Sequence, residues 1–91
     1  MGRRPTGRSG SARSDRWKRQ FGERVRELRG ERGLSQEQLA HAAGVHRTYA
    51  GAVERGEQNI SLTNIHEFAE ALGVPVSAFF PDTERVSTSR Q

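Results

Sequence analysis

Four glycines divide the middle of this chain into segments. Gly33, Gly44, Gly56 and Gly73 each follow directly after a stretch with apolar residues at helical spacing. Helices favour a left-handed residue, usually glycine, just past their last turn. The glycines therefore predict four helices, over about 17–32, 36–43, 47–55 and 62–72.

The residues at the predicted helix starts support this division. Ser35 with Gln38 three residues later has the pattern of a capping box, and Ser61 stands where helix 4 needs an N-cap. After Pro75 the run VSAFF leaves room for one short fifth helix before Pro81. No segment alternates between polar and apolar residues as a strand does. We therefore predict an all-α fold.

Apolar spacing also predicts which faces of the long helices point inward. The inward residues of helices 1 and 4 are Trp17, Phe21, Val25 and Leu28, and Leu62, Ile65, Ala69 and Leu72.

Positive charge is concentrated in the first third of the chain. Residues 1–16 carry five Arg against Asp15, whereas residues 33–80 carry two Arg and five Glu. The N-terminal segment, rich in Arg, Gly and Ser, has too few apolar residues to offset its ordering entropy, so we predict a flexible basic arm. It is either a solubilising tail or cloning remnant, or an arm that contacts phosphates. We expect an arm at 1–16, one domain at 17–80 and a flexible tail at 81–91.

Composition and spacing argue against several classes of protein. The 91 residues include no Cys, which excludes disulfides and thiolate metal sites and is typical of a reducing cytoplasm. No apolar run is long enough for a signal peptide or a membrane span, so we expect a cytoplasmic protein without a membrane partner. His41, His46 and His66 share no ligand-like spacing with carboxylates, so we predict no enzyme, no metal site and no cofactor.

The stretch GVHRTYAGAVERG, residues 44–56, points to a binding function. Two short helices joined by a tight turn have the spacing of a helix-turn-helix unit. If Ala50 and Val53 point inward, helical spacing gives helix 3 this outer face: Arg47, Thr48, Gly51, Ala52 and Arg55. Such a helix suits the major groove of DNA, where small residues let its axis approach the base edges. The alternative is that Gly51 relieves crowding against a neighbouring helix.

Residues 34–74, LSQEQLAHAAGVHRTYAGAVERGEQNISLTNIHEFAEALGV, resemble the helix-turn-helix domain of the Cro/cI-type (XRE) transcriptional regulators. The Ser-Gln start, the Leu-Ala pair, the Gly-Val turn and the closing Glu-Arg-Gly occur at the intervals of that family. With helix 1 and PVSAFF included, the resemblance covers about residues 18–80. It implies a five-helix lambda-repressor-like fold and sequence-specific binding of double-stranded DNA. RTYAGAVERGEQNISLTNI is also similar to the controller proteins of restriction–modification systems, which are DNA-binding dimers.

The resemblance also implies roles for individual residues. Base reading falls on the start of helix 3 and its next turn, at Arg47, Thr48 and Ala52, and helical spacing adds Gly51 on the same face. Phosphate contacts fall on the helix 2 N-terminus, on helix 3 and on the loop after it: Gln36, His46, Tyr49, Arg55, Asn59 and Ser61. His46 stands where the family has a capping Ser or Thr, and histidine caps poorly, so we expect its ring to face a phosphate.

One implied contact is structural. The family pairs an arginine late in helix 1 with the glutamate near the end of helix 3, which here are Arg29 and Glu54. We predict a buried pair; the alternative is a solvated surface glutamate.

Apolar residues near the C-terminus suggest a partner surface. Val76, Phe79 and Phe80 are more apolar than a solvated chain end needs. We predict a homodimer through helix 5 and nearby parts of helix 4, with reading helices about 34 Å apart on a near-palindromic site. Alternatively, the phenylalanines pack against helix 1, and we expect one of the two to do so. A second function is an antitoxin or protein-interaction module with a toxin or polymerase partner and incidental DNA binding.

Overall fold

The computed structural model of the chain describes residues 5–81, with side chains from residue 14 onward. Its elements are α1 (Pro5–Glu31), α2 (Gln36–Ala43), α3 (Arg47–Glu54), α4 (Leu62–Leu72) and a 3₁₀ helix (Val76–Phe79). No strand forms within this part of the chain, so the all-α prediction is confirmed there. The predicted fifth helix is a single 3₁₀ turn, because only four residues follow Pro75 before the backbone leaves helical geometry at Phe80.

The ends of α2, α3 and α4 follow from local chemistry. Ser35 Oγ accepts a hydrogen bond from the Gln38 backbone N–H at 3.0 Å, and Gln38 Oε1 accepts from the Ser35 N–H at 2.8 Å. Ser61 Oγ caps α4 by accepting from the Asn64 N–H at 3.1 Å. All four glycines that divide the sequence have positive φ, between 67° and 76°. The predicted capping box, the cap of α4 and the four glycine stops are therefore confirmed.

The start of α1 differs from the prediction. The helix begins at Pro5, well before residue 17, so the predicted boundary between arm and helix is wrong. Proline suits the first turn of a helix, where its missing N–H would have no partner. Extending an existing helix also avoids the cost of nucleation, so Gly7 and Gly10 do not stop it. Residues 1–4 of the arm and 82–91 of the tail lie outside the described residues.

The hydrophobic core lies between α1, α2, α3, α4 and the 3₁₀ helix. Its buried members are Phe21, Val25, Leu28, Leu39, Ala40, Ala43, Ala50, Val53, Phe68, Ala69, Leu72 and Phe79. Two residues predicted to point inward lie outside it, since Trp17 is 57% exposed and Leu62 is 71% exposed. Both precede the packed part of their helix, where the apolar spacing continues although nothing covers it.

α1 lies directly against the C-terminal end of α3. A Cβ atom built on Gly22 would overlap the Val53 carbonyl oxygen and lie 2.7 Å from that of Glu54. A Cβ on Gly56, just past α3, would lie 2.7 Å from Cγ of Arg19. Two glycines therefore let the backbones of α1 and α3 meet without intervening side chains, and this contact fixes the orientation of α3.

Two arginines of α1 hold the C-terminal part of the domain. Arg32 Nε donates to the Leu72 carbonyl at 2.6 Å, and Arg24 Nε donates to the Ala78 carbonyl at 2.8 Å. The last carbonyls of a helix lack intrahelical partners and carry partial negative charge. Each guanidinium therefore satisfies an otherwise free carbonyl and links α1 to α4 and the 3₁₀ helix.

None of the helices in residues 5–81 is long and apolar enough to cross a membrane. The same part of the chain contains no group of three or more His, Cys, Asp or Glu side chains that could hold a metal ion.

Candidate nucleic-acid interface

The start of α3 presents two polar side chains to solvent. Arg47 and Thr48 are its first two residues, and both are exposed. Arg47 forms no ion pair with any of the described residues. The first amide groups of a helix point outward and favour anions. The N-terminus of α3 therefore combines a guanidinium that has no ion-pair partner among the described residues with the partial positive charge of a helix start.

His46 caps α3, contrary to the prediction. Its Nδ1 accepts a hydrogen bond from the Thr48 backbone N–H at 3.1 Å. The expectation that histidine would cap poorly is therefore wrong here, whereas a contact between its ring and a phosphate stays a prediction. An imidazole nitrogen accepts only when it carries no proton, so this contact selects the ring form in which Nδ1 is unprotonated.

Gly51 and Ala52 do not form a bare outer face, so that prediction is wrong. Both residues are buried, with Ala52 8% exposed. A Cβ atom on Gly51 would lie 3.2 Å from Arg55 Nη1 and 3.3 Å from Gln36 Oε1. The ends of two polar side chains, one of them from α2, therefore cover Gly51. Helical spacing predicts the direction in which a residue points, but not which neighbouring side chains lie across it.

A buried polar network joins α1, α2 and α3. Arg29 donates from Nε to Glu54 Oε2 at 2.6 Å and from Nη2 to Glu54 Oε1 at 3.0 Å. The Arg29 side chain is 19% exposed and that of Glu54 is 3% exposed. Arg29 Nη1 also donates to the Leu34 carbonyl, and Gln36 Nε2 donates to Glu54 Oε1 at 3.0 Å. The structure thus forms the pair that the family resemblance implied and adds Gln36 to it.

The hydrogen bond to the Glu54 carboxylate raises the pKa of Arg29, and the charge attraction of the same carboxylate acts in the same direction. The guanidinium is therefore permanently charged. Its bidentate geometry fixes α1 against α3, because both oxygens of Glu54 are engaged.

Arg55 also has an intramolecular partner. Its Nε donates to Glu57 Oε2 at 3.0 Å and its Nη2 donates to Glu57 Oε1 at 3.1 Å, and both side chains are exposed. This hydrogen bonding raises the pKa of Arg55 and lowers that of Glu57. The pair is therefore fully charged at neutral pH, and its net charge is zero.

The other predicted phosphate ligands lie around the junction of α3 and α4. Asn64 Nδ2 donates to the Tyr49 hydroxyl oxygen at 3.0 Å, which leaves the Tyr49 hydroxyl proton for another acceptor. Asn59 and Ser61 are exposed in the loop that precedes α4, where the Ser61 hydroxyl oxygen is used as the cap.

Sequence reasoning missed Glu57 and Asn64. The Tyr49–Asn64 contact joins residues 15 apart on different helices, so no local pattern signals it. Glu57, by contrast, follows Arg55 by two residues across Gly56. Opposite charges on either side of a glycine with predicted positive φ could have indicated this ion pair.

The C-terminal phenylalanines pack against α1. The ring of Phe79 is 4.9 Å from that of Phe21 between centroids, and Phe79 is 2% exposed. The assignment of Phe79 to a dimer interface is therefore wrong, because α1 already covers it. Phe80 also contacts Phe21, at 5.8 Å, but it is half-buried, as is Val76.

Comparison with known proteins identifies the family. The family model HTH_3, described as helix-turn-helix, matches residues 25–79. Control protein C.BamHI of Bacillus amyloliquefaciens is 47% identical over 55 residues, which are 59% of this chain and 68% of that protein. Control protein C.MunI of a Mycoplasma species is 38% identical over 66 residues, 71% of this chain and 89% of that protein. The crystal structure of the restriction–modification controller C.AhdI from Aeromonas hydrophila aligns with a TM-score of 0.68 and 49% identity, covering 69% of this chain and 96% of that one.

The chain belongs to the XRE-type helix-turn-helix family HTH_3, and it is a DNA-binding transcriptional regulator. Within that family its similar relatives include the restriction–modification controller proteins. They are regulators by name and not enzymes.

Proposed function

We propose that this protein binds a near-palindromic operator as a twofold dimer and reads the major groove with α3, in the manner of a controller protein. The observation that carries the proposal is the position of Arg47. It stands exposed at the first position of α3 without an ion-pair partner among the described residues, while the other end of α3 is held by Glu54.

Charge favours a specific contact at Arg47. Residues 33–80 carry two Arg and five Glu, a net charge of −3, and one of those arginines, Arg55, is paired with Glu57. Bulk attraction to phosphates is therefore weak on this side of the domain. Arginine bonds bidentately to the O6 and N7 atoms of guanine, and threonine contacts the methyl group of thymine. Arg47 and Thr48 supply these two kinds of contact.

Phosphate contacts flank the reading residues in this proposal. Tyr49 offers a hydroxyl proton, while Asn59 and Ser61 lie in the loop that leads to α4. Gln36 is the first residue of α2, and His46 is the cap of α3. In this proposal a phosphate oxygen lies near each of these helix starts, where the partial positive charge of a helix favours an anion. Gly51 and Ala52 shape this surface without reading bases.

Selection of bound sequences from random duplexes tests the reading role of Arg47. We expect Arg47→Ala to lose its preference at one base position of each half-site, at a cost of about 1–3 kcal/mol. Arg26→Ala is the matched control, because Arg26 is exposed on α1 and its loss changes the charge equally. Equal weakening of all sequences by Arg47→Ala would assign this residue to the DNA backbone instead.

The dimer is proposed to form through α4 and the 3₁₀ helix. Leu62 at the start of α4 is 71% exposed, and Val76 and Phe80 are only half-buried. A twofold pair of such domains would place the two copies of α3 about 34 Å apart, one turn of DNA.

Sedimentation at micromolar concentration tests the dimer. We expect dimers for the natural sequence and weaker association for Leu62→Ser, with Trp17→Ser as the control for an exposed apolar residue on another helix. A monomer at every concentration, with and without DNA, would contradict the proposal.

Because such a regulator acts on DNA, we place it in the cytoplasm.

A further inference from the structure

The pair formed by Arg55 and Glu57 lies on the surface proposed for DNA. Gly56 between them has a φ of 76°, and this turn brings the two side chains together in a bidentate pair at 3.0 and 3.1 Å. The third guanidinium nitrogen, Nη1, lies over Gly51 on α3. Arg55 therefore extends back across the helix that carries Arg47.

Gly51 makes room for this arrangement. A Cβ there would lie 3.2 Å from Arg55 Nη1 and 3.3 Å from Gln36 Oε1, closer than ordinary van der Waals contact for both. A larger residue would displace Arg55 from α3 or Gln36 from its hydrogen bond with Glu54. The absent side chain thus provides the space in which the guanidinium lies.

A phosphate and the Glu57 carboxylate compete for the same atoms. Nε and Nη2 form the edge of the guanidinium that binds carboxylates and phosphates bidentately. In the free protein Glu57 occupies this edge. Glu57 also cancels the charge of Arg55, so the pair as a whole adds no electrostatic attraction to DNA phosphates.

We propose that Glu57 is a specificity-determining residue, which keeps Arg55 in an intramolecular pair until a phosphate of correctly bound operator displaces it. The inference deepens the proposed function and rests on it. In a loosely bound, nonspecific complex no phosphate is held in place, and Arg55 remains with Glu57. In the operator complex α3 is seated in the groove, so a phosphate beside Arg55 has a fixed position and replaces the carboxylate. Arg55 then adds affinity for the operator more than for other DNA.

Replacing Glu57 with glutamine tests this role. We expect Glu57→Gln to strengthen binding to an unrelated duplex. For that duplex, the slope of log K against log salt concentration should become steeper by up to about 0.9, the contribution of one additional phosphate contact. Operator binding should gain less, so the ratio of specific to nonspecific affinity falls. The matched control is Glu23→Gln, which removes the same charge from an exposed position on α1 and should leave the ratio unchanged.

A second background separates competition from general charge. With Arg55→Ala already present, adding Glu57→Gln should change neither the salt dependence nor the specificity ratio. A change in the salt dependence or the specificity ratio that persists without Arg55 would overturn the inference. Weaker operator binding by Glu57→Gln would also overturn it, because that result would mean that Glu57 orients Arg55 for DNA. If the natural sequence shows no preference among random duplexes, the proposed function itself fails. That outcome is distinct from a specific binder whose specificity ratio is insensitive to Glu57.

Discussion

At the scale of single residues, Glu54 is the one charged residue that is buried in the described part of the chain. It is buried, accepts from Arg29 with both oxygens and accepts from Gln36 as well. A buried carboxylate is tolerated only with such partners, because its desolvation is costly. Through this one residue, α3 is connected to both α1 and α2.

Removing either member of the ion pair should be strongly destabilising. We expect Arg29→Ala to lower the free energy of unfolding by about 3–5 kcal/mol, since it leaves the buried Glu54 charge without its cation. Glu54→Ala should cost less, because Arg29 is partly exposed and keeps its hydrogen bond to the Leu34 carbonyl. The double variant should lose less than the sum of the two, because they remove one shared interaction. Urea denaturation measures all three, with Arg26→Ala as a surface control that changes little. Additive losses would show that the pair does not act as a unit.

At the scale of elements, Gly22 is the glycine of α1 on which the close contact with α3 depends. Gly22 lies against the last carbonyl groups of α3, whereas Gly30, in the same helix, has no atom within 4 Å of its would-be Cβ. The two positions have the same helical backbone and opposite surroundings.

Alanine at these two positions should have opposite effects. Gly22→Ala forces α1 away from Val53 and Glu54, and we expect a loss of about 1–3 kcal/mol in unfolding free energy. Gly30→Ala meets nothing and should gain up to about 1 kcal/mol from the better helix propensity of alanine. Thermal or urea unfolding distinguishes them. Equal shifts of the two variants would contradict the close backbone contact.

The helices themselves were largely predictable from the sequence. The helix ends depend on local contacts: Ser35 with Gln38, Ser61 and the four glycines act on backbone groups within four residues. Such local effects can be predicted from the sequence. Two features were not. The N-terminal extension of α1 has no apolar spacing to signal it, and Trp17 and Leu62 have that spacing where no partner covers them.

At the scale of the whole molecule, charge is divided unevenly. Residues 1–16 carry five Arg against Asp15, while residues 33–80, which include the proposed reading surface, have a net charge of −3. Nonspecific affinity for DNA comes mainly from cations that replace counterions. We therefore infer that much of this affinity comes from outside residues 33–80.

Deletion of residues 2–13, which removes four Arg, should flatten the salt dependence of DNA binding. The slope of log K against log salt should decrease by at most about 3–4 if all four arginines contact phosphates. Replacing the same four Arg with Gln is the control, because it keeps the length of the chain and removes only the charge. An unchanged slope in both variants would show that the segment does not touch DNA.

The amino-acid sequence alone determined the helical class, the caps of α2 and α4, the glycine stops and the exposed start of α3, because each depends on interactions within a few residues. Only the tertiary structure decided that Gly51 lies under Gln36 and Arg55, that Phe79 belongs to the core and that Glu54 binds Gln36. These contacts join side chains from different helices, or depend on how far a long side chain reaches across a neighbouring turn. Their distances are set by how the helices pack, which periodicity does not specify.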